Sequence, residues 1–166
     1  MKLSHLSLLA CLLTSAPALA LSVDSQQPIH IDSDSMQLDM KNNRVTYLSN
    51  VKLVQGSINI HAERLIVTRD PQTGNIEQIE SFGNPATFSQ LTEDGKTLHG
   101  QAEQLYYKMA KDELLMIGQA MLAQDDSEIR GQQIRYQISS QQLVADGQGS
   151  ERVSTIIQPQ AVQKNP

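Results

Sequence analysis

Three histidines, His30, His61 and His99, are the side chains along the body of this chain best suited to proton transfer or metal ligation near neutral pH. Serine and aspartate are plentiful, so a hydroxyl nucleophile with a histidine base could be assembled in space. The spacing argues against it. No glycine-rich phosphate loop, Gly-x-Ser-x-Gly elbow or His-Glu-x-x-His pair is present. His30 and His99 each sit between apolar or small residues in an alternating stretch, which turns the imidazole outward on a strand. Asp32 with Asp34, and Asp125 with Asp126, could touch calcium, but neither pair has the glycine and spaced oxygens of a calcium loop. The chain has no Trp, the residue best suited to stacking against sugars. This pattern describes a protein that is not an enzyme, with no catalytic residue, metal ligand or cofactor.

The stronger signal is apolar. Inward positions of the alternating pattern hold Ile29, Ile31, Leu38, Leu53, Ile60, Leu65, Val67, Phe88, Leu98, Leu105, Tyr107, Leu115, Ile117 and Leu122, with Met36 and Met109 among them. Two readings stand side by side. Such residues most often fill a core, and the protein is then a structural β-repeat adaptor that assembles through its strand edges. Alternatively the face lines a groove for hydrocarbon, since aliphatic and methionine walls adapt in shape and strand no polar group.

The elements that must present this face are strands. Ile29-His30-Ile31, Arg44-Val45-Thr46-Tyr47, Val51-Lys52-Leu53 and Ser57-Ile58-Asn59-Ile60 alternate with period two. Turn residues interrupt them at Lys41-Asn42-Asn43, Gln55-Gly56, Asp70-Pro71-Gln72-Thr73-Gly74, Glu93-Asp94-Gly95, Asp125-Asp126 and Asp146-Gly147. That punctuation predicts about sixteen short strands in an all-β sandwich, jelly roll or solenoid. An internal repeat is visible as well. Apolar or small residues fall at offsets 0, 2, 4, 7 and 9 in Ile29, Ile31, Ser33, Met36, Leu38, again in Ile58, Ile60, Ala62, Leu65, Val67, and again in Leu98, Gly100, Ala102, Leu105, Tyr107. A shortened copy is Ile129, Gly131, Ile134, Tyr136. The change of phase within each copy predicts a corner where one strand ends and the next begins. Ser49-Asn50-Val51, Gly83-Asn84-Pro85 and Gly118-Gln119-Ala120 follow these copies and recur about every 35 residues. Between Gly100 and Met121 the spacing of Ala102, Leu105, Tyr106, Met109 and Ala110 also fits a helix. Its alignment with the β-branched copy at Ile58 to Val67 decides for strand.

Composition narrows the setting. Of 166 residues, 13 are Lys or Arg against 18 Asp or Glu, a net charge of −5, which excludes an electrostatic nucleic-acid binder. Residues 1–20 read as a cleavable signal peptide: Lys2, an apolar run from Leu6 to Leu13, and the small-x-small site Ala18-Leu19-Ala20. The run is too short to span a membrane. Acylation at Cys11 is the weaker alternative, because its apolar lead is cut short while the conventional site follows intact. Cleavage would remove the one cysteine and leave a more acidic, exported, disulfide-free chain.

Specific residues carry a family resemblance. Gln27-Pro28-Ile29-His30-Ile31 after a signal peptide, Gly83-Asn84-Pro85-Ala86-Thr87-Phe88, Gly100-Gln101-Ala102 followed by Tyr107 and Ala110-Lys111-Asp112, and Arg152-Val153-Ser154-Thr155 occur in order and at characteristic spacing. Together, from about Gln26 to Gln158, they resemble the LptA (OstA) family of periplasmic lipopolysaccharide-export proteins. The resemblance implies an open, twisted β-jelly roll of about sixteen antiparallel strands over residues 21–157. Residues 158–166 depart from it: with Pro, Gln and a lone Lys164 they read as a disordered tail. The resemblance also implies a protein of the periplasm whose apolar groove receives the acyl chains of lipid A, with Ile31, Leu38, Ile60, Phe88, Leu105, Tyr107 and Met109 as groove residues. It further implies units that join head to tail, to an inner-membrane bitopic protein of the same fold, and to the N-terminal domain of an outer-membrane translocon. The joining edges would be Pro28, Ile29 and Ile31 on one side and Arg152, Val153, Thr155 and Ile157 on the other, where unpaired backbone invites strand addition.

Overall fold

The computed structural model describes residues 24–150 and 152–158, so the signal-peptide reading of residues 1–20 and most of the tail fall outside the described residues. Among the described residues, ten strands form one antiparallel sheet: β1 (Ile29–Asp32), β2 (Ser35–Asp39), β3 (Arg44–Gln55), β4 (Ile58–Arg69), β5 (Ile76–Leu91), β6 (Thr97–Lys108), β7 (Glu113–Gln124), β8 (Ser127–Gln137), β9 (Gln142–Asp146) and β10 (Ser154–Ile156). The order is β1-β3-β4-β5-β6-β7-β8-β10, with β2 also on β3 and β9 also on β8. β1 and β10 do not pair, and the roll stays open.

The strand count corrects the expectation. The phase change at offsets 4 to 7 is a real break only in the first copy, between β1 and β2; in the later copies one long strand continues through it. Pairing registers shift between Leu48 and Val51 on β3, between Phe82 and Ala86 on β5, and between Ile117 and Ala120 on β7. These are the sites of the recurring triplets, and each carries extra residues as a β-bulge, which bends a strand without ending it. Ser49, Asn50, Gly118 and Gln119 have positive φ there, and the Asn84–Pro85 peptide is cis. Turn residues therefore marked bends as well as strand ends.

The bends line up and fold the sheet into two arms. One arm holds β1, residues 51–55, 58–62, 86–91, 97–102, 120–124 and 127–131, and β10; the other holds β2, residues 44–48, 64–69, 76–82, 104–108, 113–117 and 133–137, and β9. Their inner faces meet in one core. A Cβ added at Gly100 of the first arm would come 3.0 Å from Met116 Sδ of the second. Burying each large aliphatic side chain here contributes about 1.5–3 kcal/mol.

The stretch from Gly100 to Met121 is strand apart from one 3-10 turn, Met109–Lys111, so cross-strand packing overrides its helical propensity. Leu115 and Ile117 do not face inward. Leu114 and Met116 do, because they stand opposite Tyr107 and Leu105 of β6 and cross-strand partners share a face. A run of four consecutive apolar residues has no phase of its own, and the neighbour's register supplies it.

Gly118 combines φ +83° with a Cβ direction only 2.6 Å from the Glu103 carboxylate. Gly118→Val is expected to lower unfolding free energy by about 1–3 kcal/mol through backbone strain and crowding at the bend. Urea denaturation checks this; an unchanged midpoint would show that the bend tolerates a branched residue.

Candidate functional site

The inner face divides into three zones. In the middle the arms touch, and Ile60, Phe88, Leu105 and Tyr107 are at most 2% exposed. Phe88 meets Tyr136 of the facing arm edge-to-face at 6.3 Å. The interior is filled at these positions. Met109 lies in the 3-10 turn rather than on a strand and packs half-buried against the core.

At the β1/β2 end the arms part. Ile29 and Ile31 are half-buried, whereas Met36 and Leu38 are more than half exposed. Met36 and Leu38 stand opposite Tyr47 and Val45, which pack on the core, so their exposed side chains continue its inner face. Pro28 is exposed just ahead of β1, where a missing N–H costs no ladder bond.

At the opposite end a cavity of about 740 Å³ opens between the arms. Leu98, Leu122, Ile129, Leu143, Ile156 and Ile157 supply its apolar wall, and the buried Tyr136 lines it where it borders the core. Thr155 also lines it, while Arg152 and Val153 lie exposed before β10. Such a volume suits an apolar ligand of moderate size. Its rim carries Lys96, Asp125, Asp126 and Glu128. Lys96 is not free for an anion: its Nζ lies 2.7 Å from Asp125 Oδ2, and that contact holds the ammonium charged above its ordinary range.

The alternating spacing puts Leu98 and Leu122 on the inner face but carries no sign of the cavity. Its wall gathers residues from β6, β7, β8, β9 and the segment beyond, and only the open end of the fold brings them together.

The polar groups of the interior are donors held ready rather than bases. Burial, and then the Asp112 and Asp24 carboxylates, push the Tyr136 phenol up to about 12 and Tyr107 higher still. Both remain protonated at any pH the protein meets. Tyr136 donates to Gln90 Oε1 at 3.2 Å, while the buried Tyr107 hydroxyl has no partner among the described residues. His30, His61 and His99 are exposed on β1, β4 and β6, and among the described residues no three metal-binding side chains converge.

Comparison with known proteins places this geometry. A sequence-family profile described as LptA/(LptD N-terminal domain) LPS transport protein matches residues 30–142. The chain is 42% identical over 152 residues to the lipopolysaccharide export system protein LptA of Escherichia coli strain K12, covering 92% of this chain and 82% of that one. It is 40% identical over 160 residues to the protein of the same name from Haemophilus influenzae, covering 96% and 93%. The crystal structure of LptH, the LptA-homologous periplasmic component of the lipopolysaccharide transport device of Pseudomonas aeruginosa, superposes with a TM-score of 0.75 at 26% identity. That match covers 83% of this chain and all of the other.

Proposed function

Because the chain belongs to the LptA/LptD N-terminal-domain family of lipopolysaccharide transport proteins, we propose that it holds lipopolysaccharide by its acyl chains between the two arms and passes it across the periplasm. One observation carries the reading. A single inner face runs from the exposed Met36 and Leu38, through the core, to an open cavity bounded by Ile156 and Ile157. An apolar track open at both ends suits cargo that enters at one and leaves at the other.

Charge and burial agree with acyl-chain binding. With a net charge of −5 and the rim lysine already paired, phosphate capture is not the main source of affinity. Each methylene removed from water contributes about 0.8 kcal/mol, so several chains hold a lipid firmly while each carbon moves at small cost. The relatives are transport proteins, and no nucleotide-binding motif is present here, so a partner supplies the energy. β1 and β10, at opposite ends of the sheet, are the edges on which further units, an inner-membrane partner of like fold and an outer-membrane translocon domain would add strands. Residues 1–20 would direct export and be removed.

The filled middle favours a second reading, a structural adaptor joined only through its edges. Photo-crosslinking separates the two. A photoreactive residue at Leu143 or Ile129, in the cavity wall, is expected to capture lipopolysaccharide in cells, and one at Phe88 or Tyr107 to do so when the arms part. Capture only from the outward positions His30 and Lys52 would favour the adaptor.

A further inference from the structure

Tyr136 stands between the cavity and the filled interior, beside Leu98 and Leu122, which also belong to both. Its ring lines the cavity on one side and packs edge-to-face on Phe88 on the other. Its hydroxyl donates to Gln90 Oε1 across the gap, and among the described residues this is the side-chain hydrogen bond that ties one arm to the other away from the bend.

Gln90 is itself held. Its Nε2 donates to Asp24 Oδ2 at 3.1 Å. The Asp24 carboxylate also accepts from the Ser57 N–H and hydroxyl, both at 2.7 Å. Gln55 Nε2 donates to the carbonyls of Ser25 and Gln27, each at 3.1 Å, fastening the same stretch of chain. Gly56 lets this strap lie close, since a Cβ there would collide with the Asp24 carboxylate. The strap then runs directly into β1.

We propose that Tyr136 is a gate between the cavity and the core, held shut by a relay through Gln90 to Asp24 of the strap that precedes β1. The proposal rests on the reading that hydrocarbon occupies the space between the arms. Hydrocarbon moving inward from the cavity must displace the Tyr136 ring, and the relay sets the resistance. Because the strap is continuous with β1, a neighbour that pairs with that edge and draws the strap away loosens the gate at the far end of the sheet. Docking at one end and admission at the other thereby share one two-state element.

Stopped-flow uptake of N-phenyl-1-naphthylamine, an apolar fluorophore, tests this on the purified protein. Tyr136→Phe removes only the hydroxyl, and Asp24→Asn weakens the anchor. Each is expected to speed uptake by about three- to tenfold, the factor carried by one hydrogen bond, and the double variant to be no faster than the quicker single one. Gln90→Leu cuts the relay between its ends and should match Tyr136→Phe, which guards against a misfolded anchor variant. Unchanged uptake with Tyr136→Phe and Gln90→Leu overturns the gate; a fast Tyr136→Phe with unaltered Gln90→Leu and Asp24→Asn overturns the relay. Faster dye uptake without faster lipopolysaccharide uptake leaves the gate standing and sinks the lipopolysaccharide reading.

Discussion

Replacing Phe88 by aspartate is expected to leave no folded protein at neutral pH. The ring is 2% exposed, lies opposite Ile60 and Gly100 in the sheet, and packs against Tyr136 from the facing arm. Removing it forfeits packing of the kind that costs about 3–5 kcal/mol in a Phe→Ala change. Among the described residues no cation is buried in this lining, so the new carboxylate adds a further penalty of about 3–5 kcal/mol for an unpaired buried charge. Together these match the about 5–15 kcal/mol that separates a typical domain from its unfolded state. The pH dependence has a definite sign. Burial raises the folded-state pKa of such a group above its unfolded value, so the variant is least stable when the carboxyl is ionised and regains stability as pH falls through the folded pKa. Circular dichroism across an acid titration reads both effects. A Phe88→Asp protein folded at neutral pH would mean that the arms are already parted in solution. Leu143→Asp, at the half-buried cavity wall, is the contrast: it should stay folded.

Much of this architecture was legible in spacing alone. The offset pattern placed the inner faces of β4 and β6, and the triplets about 35 residues apart are the bulges that fold the sheet. What spacing could not say is whether Ser49-Asn50 or Gly118-Gln119 ends a strand or bends it. Both outcomes use the same left-handed backbone, and only pairing on either side distinguishes them. Nor could it give the phase of Leu114 to Ile117, which the register with β6 sets. Ile60, Phe88, Leu105 and Tyr107, expected to line a groove, do lie on the inner face, but a face does not reveal whether the space before it is empty. Asp24, Gln90 and Tyr136 were invisible as a unit. Each is an ordinary polar or aromatic residue until the fold brings three distant stretches of chain together.

Leu38→Asp introduces the same charge on the same inner face and is expected to have the opposite consequence: the monomer stays folded while head-to-tail assembly and onward passage of lipid fail. Leu38 on β2 is 54% exposed, and its neighbour on the same face, Met36, 56%. A carboxylate at such a site remains hydrated in the isolated protein, so stability should change by no more than about 0.5 kcal/mol. In an assembly that continues the inner face from one unit to the next, the parted β1/β2 end meets the cavity end of a neighbour, where Ile157 is 76% exposed and Ile156 50%. Leu38 is then covered, and the variant loses the about 1.5–3 kcal/mol of a buried leucine as well as desolvating a charge against an aliphatic wall. Even the first term weakens the joint by about tenfold or more. On the proposed head-to-tail joining, sedimentation over a concentration series should show oligomers of the unaltered chain and only monomer of Leu38→Asp, with an unchanged urea midpoint. Oligomers that persist would locate the joint away from β2, in backbone pairing at β1 and β10 alone. Loss of assembly together with a lowered midpoint would mean that Leu38 is already covered within the single chain, contrary to its exposure here.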